Sequence, residues 1–287
     1  MEKTRRGRIV LAIVGITVAV GLALSLLDDT RLGGDKVAVV RIEGVIVDSR
    51  EAIEELRTFR ANPAVKAIVL RIDSPGGGVV ASQEIYSEVL KTRADGKVKV
   101  VTSMGNLAAS GGYYIAVATD TIMANPGTLT GSIGVIMELA NVQGLLEKVG
   151  VQSVVIKSGR HKDLASPFRT MSEEDRAILQ AVLDDVHDQF IQAVSTGRTM
   201  TVEQVRDLAD GRVFTGRQAQ TVKLVDELGD LQDAIMLAGK LGGIAGEPRV
   251  IETHKRFSLR ELLGNVFDGK VSALIPTGIN LKYMMAW

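Results

Sequence analysis

Short β-branched runs alternate with helix-patterned stretches along most of this chain, and that alternation narrows the fold more than any other feature. Residues 36–47 read as a buried strand and residues 51–60 as the acidic helix that follows. Residues 67–72 and 98–104 are further strands, with a helix over 79–93 between them. Residues 121–124 give a short strand ahead of Asn125-Pro126, and residues 151–157 give the last clear one. Such alternation argues for an α/β fold with right-handed crossovers. Val and Ile on both faces of the strands fit a sheet covered by helices on each side.

Beyond this unit, Ser172-Glu-Glu-Asp175 has the form of a capping box opening a long helix. Ile178, Val182, Val186, Phe190 and Val194 then recur every fourth residue, an apolar stripe for core packing or a subunit contact. Two short helices are expected over 201–209 and 216–224. No internal repeat is visible.

The segment Gly105-Asn-Leu-Ala-Ala-Ser-Gly-Gly-Tyr-Tyr-Ile-Ala116 places Ser110 where a strand gives way to a helix. A serine there can face a cleft, with the N–H of Gly111 aimed at an oxyanion. It can equally be a helix N-cap. Asp73-Ser-Pro-Gly-Gly-Gly78 follows a strand and can offer a second N–H donor. It lacks the Lys-Ser/Thr of a phosphate loop and the glycine spacing of a dinucleotide fingerprint. Lys157-Ser-Gly-Arg-His-Lys-Asp-Leu-Ala-Ser-Pro167 supplies two candidate bases, His161 and Lys162, and on the residues alone neither is preferred. Of the other histidines, His187 lies among acidic residues on a helical stretch and His254 in a polar stretch, both expected on solvated faces.

Several chemistries are poorly supported. The chain has no cysteine, which excludes a thiol nucleophile, a disulfide framework and Cys-ligated zinc. No His or carboxylate spacing suggests a metal site. With zero formal net charge and 4% aromatic residues, nothing argues for nucleic acid.

Residues 9–27 form a run of nineteen residues without a charge, long enough to span a bilayer core. Lys3, Arg5, Arg6 and Arg8 precede it and Asp28 and Asp29 follow, so the positive-inside rule puts the N-terminus in the cytoplasm. A cleaved secretory signal ending near Ala23-Leu-Ser25 is the alternative; the apolar run is longer than a usual signal core. The reading is a basic segment (1–8), a membrane helix (9–27), a linker (28–35), an α/β domain (36–242) and a C-terminal extension (243–287). In the extension, residues 257–267 look amphipathic, and the apolar tail 281–287 receives no role.

Taken in order, these motifs resemble bacterial signal peptide peptidase A of the short, single-unit form, a Ser-Lys protease family with a ClpP/crotonase-like core. The resemblance runs over roughly residues 36–242. It rests on Ser74-Pro-Gly-Gly-Gly78, Ala109-Ser-Gly-Gly-Tyr-Tyr114, Thr130-Gly-Ser-Ile-Gly-Val135 and Lys162-Asp-Leu-Ala-Ser-Pro167, supported by Gly211-Arg-Val-Phe-Thr-Gly-Arg-Gln-Ala219. It implies that Ser110 is the nucleophile, Lys162 the general base and Ser132 the residue orienting that lysine. Gly111 and Gly77, with Gly76 as a substitute for Gly77, are the implied oxyanion donors.

A lysine acts as a base only once its proton is lost, which burial promotes. Leu164, Ala165, Pro167 and the segment Ile133-Gly-Val-Ile136 could supply the apolar surroundings. The resemblance further implies remnant signal peptides as substrates, no cofactor, and an octameric homo-oligomer in which a neighbouring subunit completes each cleft. Its catalytic domain would lie outside the cytoplasm, held by the membrane helix. A crotonase-like acyl-CoA enzyme and an inactive membrane scaffold remain as readings from other classes.

Overall fold

The structure, a computed structural model, describes residues 34–253 and 282–284. The basic segment, the apolar run 9–27, residues 257–267 and His254 lie outside the described residues. Among the described residues no helix is long and apolar enough to cross a membrane.

The chain runs β1 (Lys36–Glu43), α1 (Arg50–Ala61), β2 (Val65–Ser74), β3 (Gly76–Gly78), α2 (Val79–Ala94), β4 (Lys99–Ala109) and α3 (Gly111–Ala116). It continues through β5 (Thr121–Ala124), β6 (Leu129–Gly131), α4 (Gln143–Lys148), α5 (Glu173–Arg198), α6 (Val202–Arg206) and β7 (Val213–Thr215). It closes with α7 (Gly216–Thr221), β8 (Glu227–Leu228), α8 (Leu231–Leu241), β9 (Arg249–Glu252) and β10 (Lys282–Met284).

The expected α/β architecture is present. β9, β1, β2 and β4 lie side by side and parallel. β4 then divides its partners: Val101–Ser103 pair with β5, whereas Leu107–Ala109 pair with β6. Successive side chains of a strand face opposite ways, and both faces are filled here. Ala38, Val40, Ile68, Leu70 and Val100 pack with residues of α1, α2, α3 and α5. Val37, Val39, Ala67, Val69 and Val101 pack on the other side against Ala234, Ile235 and Ala238 of α8.

Two expectations need correction. Residues 151–157 form no strand: Val154 is 83% and Ile156 97% exposed, and no ladder partner lies alongside them among the described residues. β-branched composition favours a pleated, paired surface, and without a neighbour it makes none. The stripe on α5 is also shifted. Val182 is exposed and Ile178 only half-buried, while Leu179, Val186, Phe190, Ile191 and Val194 are buried. The second half of α5 belongs to the core; the first half carries the loop that bears Lys162. The capping box is formed as expected, with Asp175 N–H donating to Ser172 Oγ at 3.1 Å and Ser172 N–H to Asp175 Oδ2 at 3.3 Å.

Candidate active site

Ser110 sits at the end of β4 with φ 53° and ψ −115°, a backbone conformation that costs a non-glycine residue on the order of 1–3 kcal/mol. Two bonds hold it there. Its N–H donates to Gly131 C=O at 2.8 Å, and its C=O accepts from Tyr114 N–H at 2.8 Å to open α3. The N-cap reading fails, because its side chain makes no capping bond. Ser110 is fully buried, and its Oγ has no hydrogen-bond partner among the described residues. A buried hydroxyl left unpaired costs about 1–3 kcal/mol, so fold stability alone does not explain this serine.

Sheet register sets the second serine. Ala109 pairs with Gly131 in parallel strands, which puts Ser110 and Ser132 at neighbouring strand ends. Ser132 also has positive φ (50°), follows Gly131 at φ 82°, and donates its N–H to Arg212 C=O at 2.8 Å. It opens onto a cavity of about 860 Å³ lined also by Ile136, His187, Asp210 and Met284. His187 is not on a solvated face: it is half-buried, and its Nε2 is enclosed without a partner among the described residues.

The glycine triple is used residue by residue. Gly76 C=O accepts from Ile46 N–H at 2.9 Å, and Gly78 N–H donates to Ile46 C=O at 2.7 Å. Gly76 N–H donates to Ser74 Oγ at 3.1 Å, so it is engaged. Because strand amides alternate in direction, Gly77 N–H points away from Ile46. On that side β10 runs antiparallel to β3, with Tyr283 opposite Gly77. A Cβ on Gly111 would stand 3.2 Å from the Gly77 nitrogen and 3.1 Å from the Tyr283 carbonyl oxygen. A Cβ on Gly76 (φ 97°) would fall 2.0 Å from that same oxygen and 2.6 Å from the Gly111 nitrogen. The Gly76, Gly77 and Gly111 backbones thus converge on one peptide carbonyl beside Ser110.

That carbonyl belongs to the tail that sequence reasoning left without a role. β10 is held on its other edge too, by Ile136 N–H to Lys282 C=O at 3.2 Å and Lys282 N–H to Ile136 C=O at 3.3 Å. The fully buried Tyr283 ring stacks on Tyr114 (centroids 5.1 Å, 18° between planes) and packs against Phe190 at 4.8 Å. Its hydroxyl donates to Val186 C=O at 3.1 Å, and burial pushes the phenol well above its usual range. Tyr86, against Tyr114 at 4.9 Å, extends the aromatic wall. The available signals were Tyr114 inside the serine segment and a lone tyrosine in an apolar tail.

Lys162 stands apart. It is exposed on a turn and is not a partner of Ser110 Oγ within the chain. Its neighbour Asp163 is engaged by Arg169 and by Lys157 Nζ (2.6 Å), which together hold its carboxyl at about 2. His161 faces Glu174 and Asp175 at 3.7 and 3.8 Å and is likewise no partner of the serine. The described residues contain no cluster of His, Asp and Glu fit to hold a metal ion.

The sequence profile of peptidase family S49 matches residues 92–244, and that of the Clp protease family matches residues 38–128. A Synechocystis sp. protein described as a protease is 47% identical over 76% of this chain and 78% of its own length. An Enterococcus faecium protein described as signal peptide peptidase SppA is 38% identical, over 70% of this chain and 62% of the relative. Protease 4 of Salmonella typhi is 35% identical over 86% of this chain, which spans only 41% of that longer protein.

Proposed function

The chain belongs to peptidase family S49 and is a serine protease, and from that premise we propose that it is a membrane-anchored endopeptidase whose Ser110–Lys162 dyad cuts remnant signal peptides. The observation that carries this reading is β10, a peptide strand laid between β3 and Ile136 with the Tyr283 carbonyl among the glycines beside Ser110. Peptide recognition by strand addition supplies main-chain hydrogen bonds for affinity and a side-chain pocket for selectivity. The pocket here is aromatic, which suits the apolar side chains of a signal sequence.

The chemistry runs as follows. Ser110 Oγ attacks the carbonyl carbon of the residue standing where Tyr283 stands, and its proton passes to Lys162 Nζ. The resulting oxyanion faces the N–H groups of Gly77 and Gly111. Losing one such donor typically costs 10²–10³-fold in rate. Collapse breaks the C–N bond, and Lys162 returns the proton to the departing amine. Water then hydrolyses the ester by the same route, with Lys162 again taking and returning a proton. Ser132, at the neighbouring strand end, is suited to hold the lysine amine by hydrogen bond.

The base comes from a second copy of this chain. Ser110 Oγ lacks a partner among the described residues, and Lys162 is exposed on an arm that also exposes Leu145, Val149, Val154 and Ile156. Four large apolar side chains left in solvent on one arm favour its burial against a partner. Burial of the arm against a neighbour would desolvate the lysine, the condition for a neutral amine. A ring of eight such copies, anchored by residues 9–27 with the catalytic domains outside the cytoplasm, is the assembly this reading implies. A fluorophosphonate probe tests the reading. The intact protein acquires one adduct per chain, mapped to Ser110 by peptide mass spectrometry, while Ser110→Ala stays unlabelled. An adduct elsewhere, or none in an assembled sample, contradicts it.

A further inference from the structure

No residue from 157 to 171 is fully buried, and among the contacts that tether the turn carrying Lys162 one guanidinium joins it to the buried start of α5. Arg169 Nε donates to Asp163 Oδ2 at 3.0 Å and its Nη2 to Asp163 Oδ1 at 3.2 Å, a two-pronged grip on the residue next to the lysine. Its Nη1 donates to Asp175 Oδ2 at 2.6 Å and to Thr170 C=O at 3.1 Å. Asp175 is buried and, as the third residue of α5, closes its capping box, so moving it breaks the helix start. Lys157 closes the other side of Asp163. Planar, bidentate Arg–carboxylate pairs add directional precision as well as attraction.

The same helix reaches the substrate pocket. Val186 C=O takes the Tyr283 hydroxyl, and Phe190 packs on the Tyr283 ring. α5 is therefore one strut with a pocket wall in its second half and the lysine turn tied to its start. We infer that Arg169 is a positioning residue for the protease reaction: by locking Asp163 to Asp175 it fixes Lys162 for delivery to a serine, without touching the reacting atoms. This inference rests on Lys162 being the base. An exposed ion pair taken alone would contribute little; the claim concerns geometry, where a misplacement of about 1 Å can cost about 10²-fold in rate.

The test uses the full-length, assembled enzyme and a fluorogenic peptide with an aromatic residue before the scissile bond. Arg169→Ala is expected to lower kcat about 10²-fold while KM stays within about threefold. Guanidinium chloride at tens of millimolar, compared with equal sodium chloride, should restore part of the lost kcat. Arg169→Lys should keep the assembly and fall between the two, because an ammonium can grip only one oxygen at a time. Arg160→Ala, which removes the exposed pair with Glu174, serves as the control and should stay near wild type. Wild-type kcat in Arg169→Ala, with Lys162→Ala inactive, would overturn the inference and leave the base intact. So would a loss in both Arg169 variants that tracks a fall in melting temperature and is not rescued, since that marks a structural role. Normal activity in Lys162→Ala would instead remove the premise.

Discussion

The two halves of the proposed catalytic apparatus are built in opposite ways. Ser110, Gly77 and Gly111 are set by backbone: a parallel register, a positive-φ serine, and glycines too close to their neighbours to carry a Cβ. Lys162 is set by side chains, on an exposed arm tied to α5 through Arg169, Asp163 and Asp175. The first half is complete in one chain and stores local strain. The second has few buried contacts, and under the proposed function it gains its surroundings from association. If the proposed division holds, such a protease can fold its nucleophile without risk, because the group that activates it arrives only on assembly.

The sharpest way to break this contrast is at Ser110. Ser110→Ala should lower peptide hydrolysis by at least about 10³-fold, since nucleophile and base act as a unit. Melting temperature should hold or rise slightly, because an unpaired buried hydroxyl is removed. A large fall in melting temperature would show the hydroxyl to be structural.

Next in size is Gly76→Ala. The new methyl would collide with the carbonyl oxygen of a peptide in the groove, at a φ that alanine adopts with strain. The expected result is a loss of about 10²-fold or more in kcat/KM, comparable to losing an oxyanion donor. Activity within threefold of wild type would mean that peptides do not lie where β10 lies.

Removing the tail has a smaller effect. A tethered segment competes at an effective concentration in the millimolar range. Truncation after residue 281 should therefore raise the initial rate on short peptides several-fold at low substrate, through apparent KM. An unchanged KM would show that Tyr283 leaves the groove freely in solution.

The least effect is expected from mild acid on the arm. The Arg169 and Lys157 hydrogen bonds lower Asp163 from 3.8 to about 2. A depressed carboxylate contributes stability above its unfolded value, and that contribution is lost as pH falls through the folded value. Limited proteolysis in residues 158–171 should thus be the same at pH 8 and pH 5 and increase only below about 4. Loosening already near pH 6 would point to a different anchor.

The same contrast decides what was legible in the sequence. β2, β4 and β5 were readable because they are apolar on both faces, and the motif at Ser110 because backbone strain demands glycines around it. The short run 151–157 has the same β-branched composition and is no strand, since no described residue pairs with it. β10 escaped notice because three residues far from the motifs carry no periodicity; only their place against β3 gives them meaning. His187 sat among Asp184, Asp185 and Asp188 and yet is half-buried and lines the cavity that Ser132 also lines, a fact fixed by helix rotation rather than composition.

Complementation tests the division of the site between chains most directly. Ser110→Ala and Lys162→Ala proteins, each inactive alone, are unfolded together in equal amounts and refolded into assemblies. In a head-to-tail ring roughly a quarter of the interfaces would join an intact serine to a neighbour's intact lysine. The account predicts that activity returns to about that fraction of a wild-type sample carried through the same protocol. If the mixed assemblies form at wild-type yield and remain inactive, each chain supplies its own base and the account is contradicted.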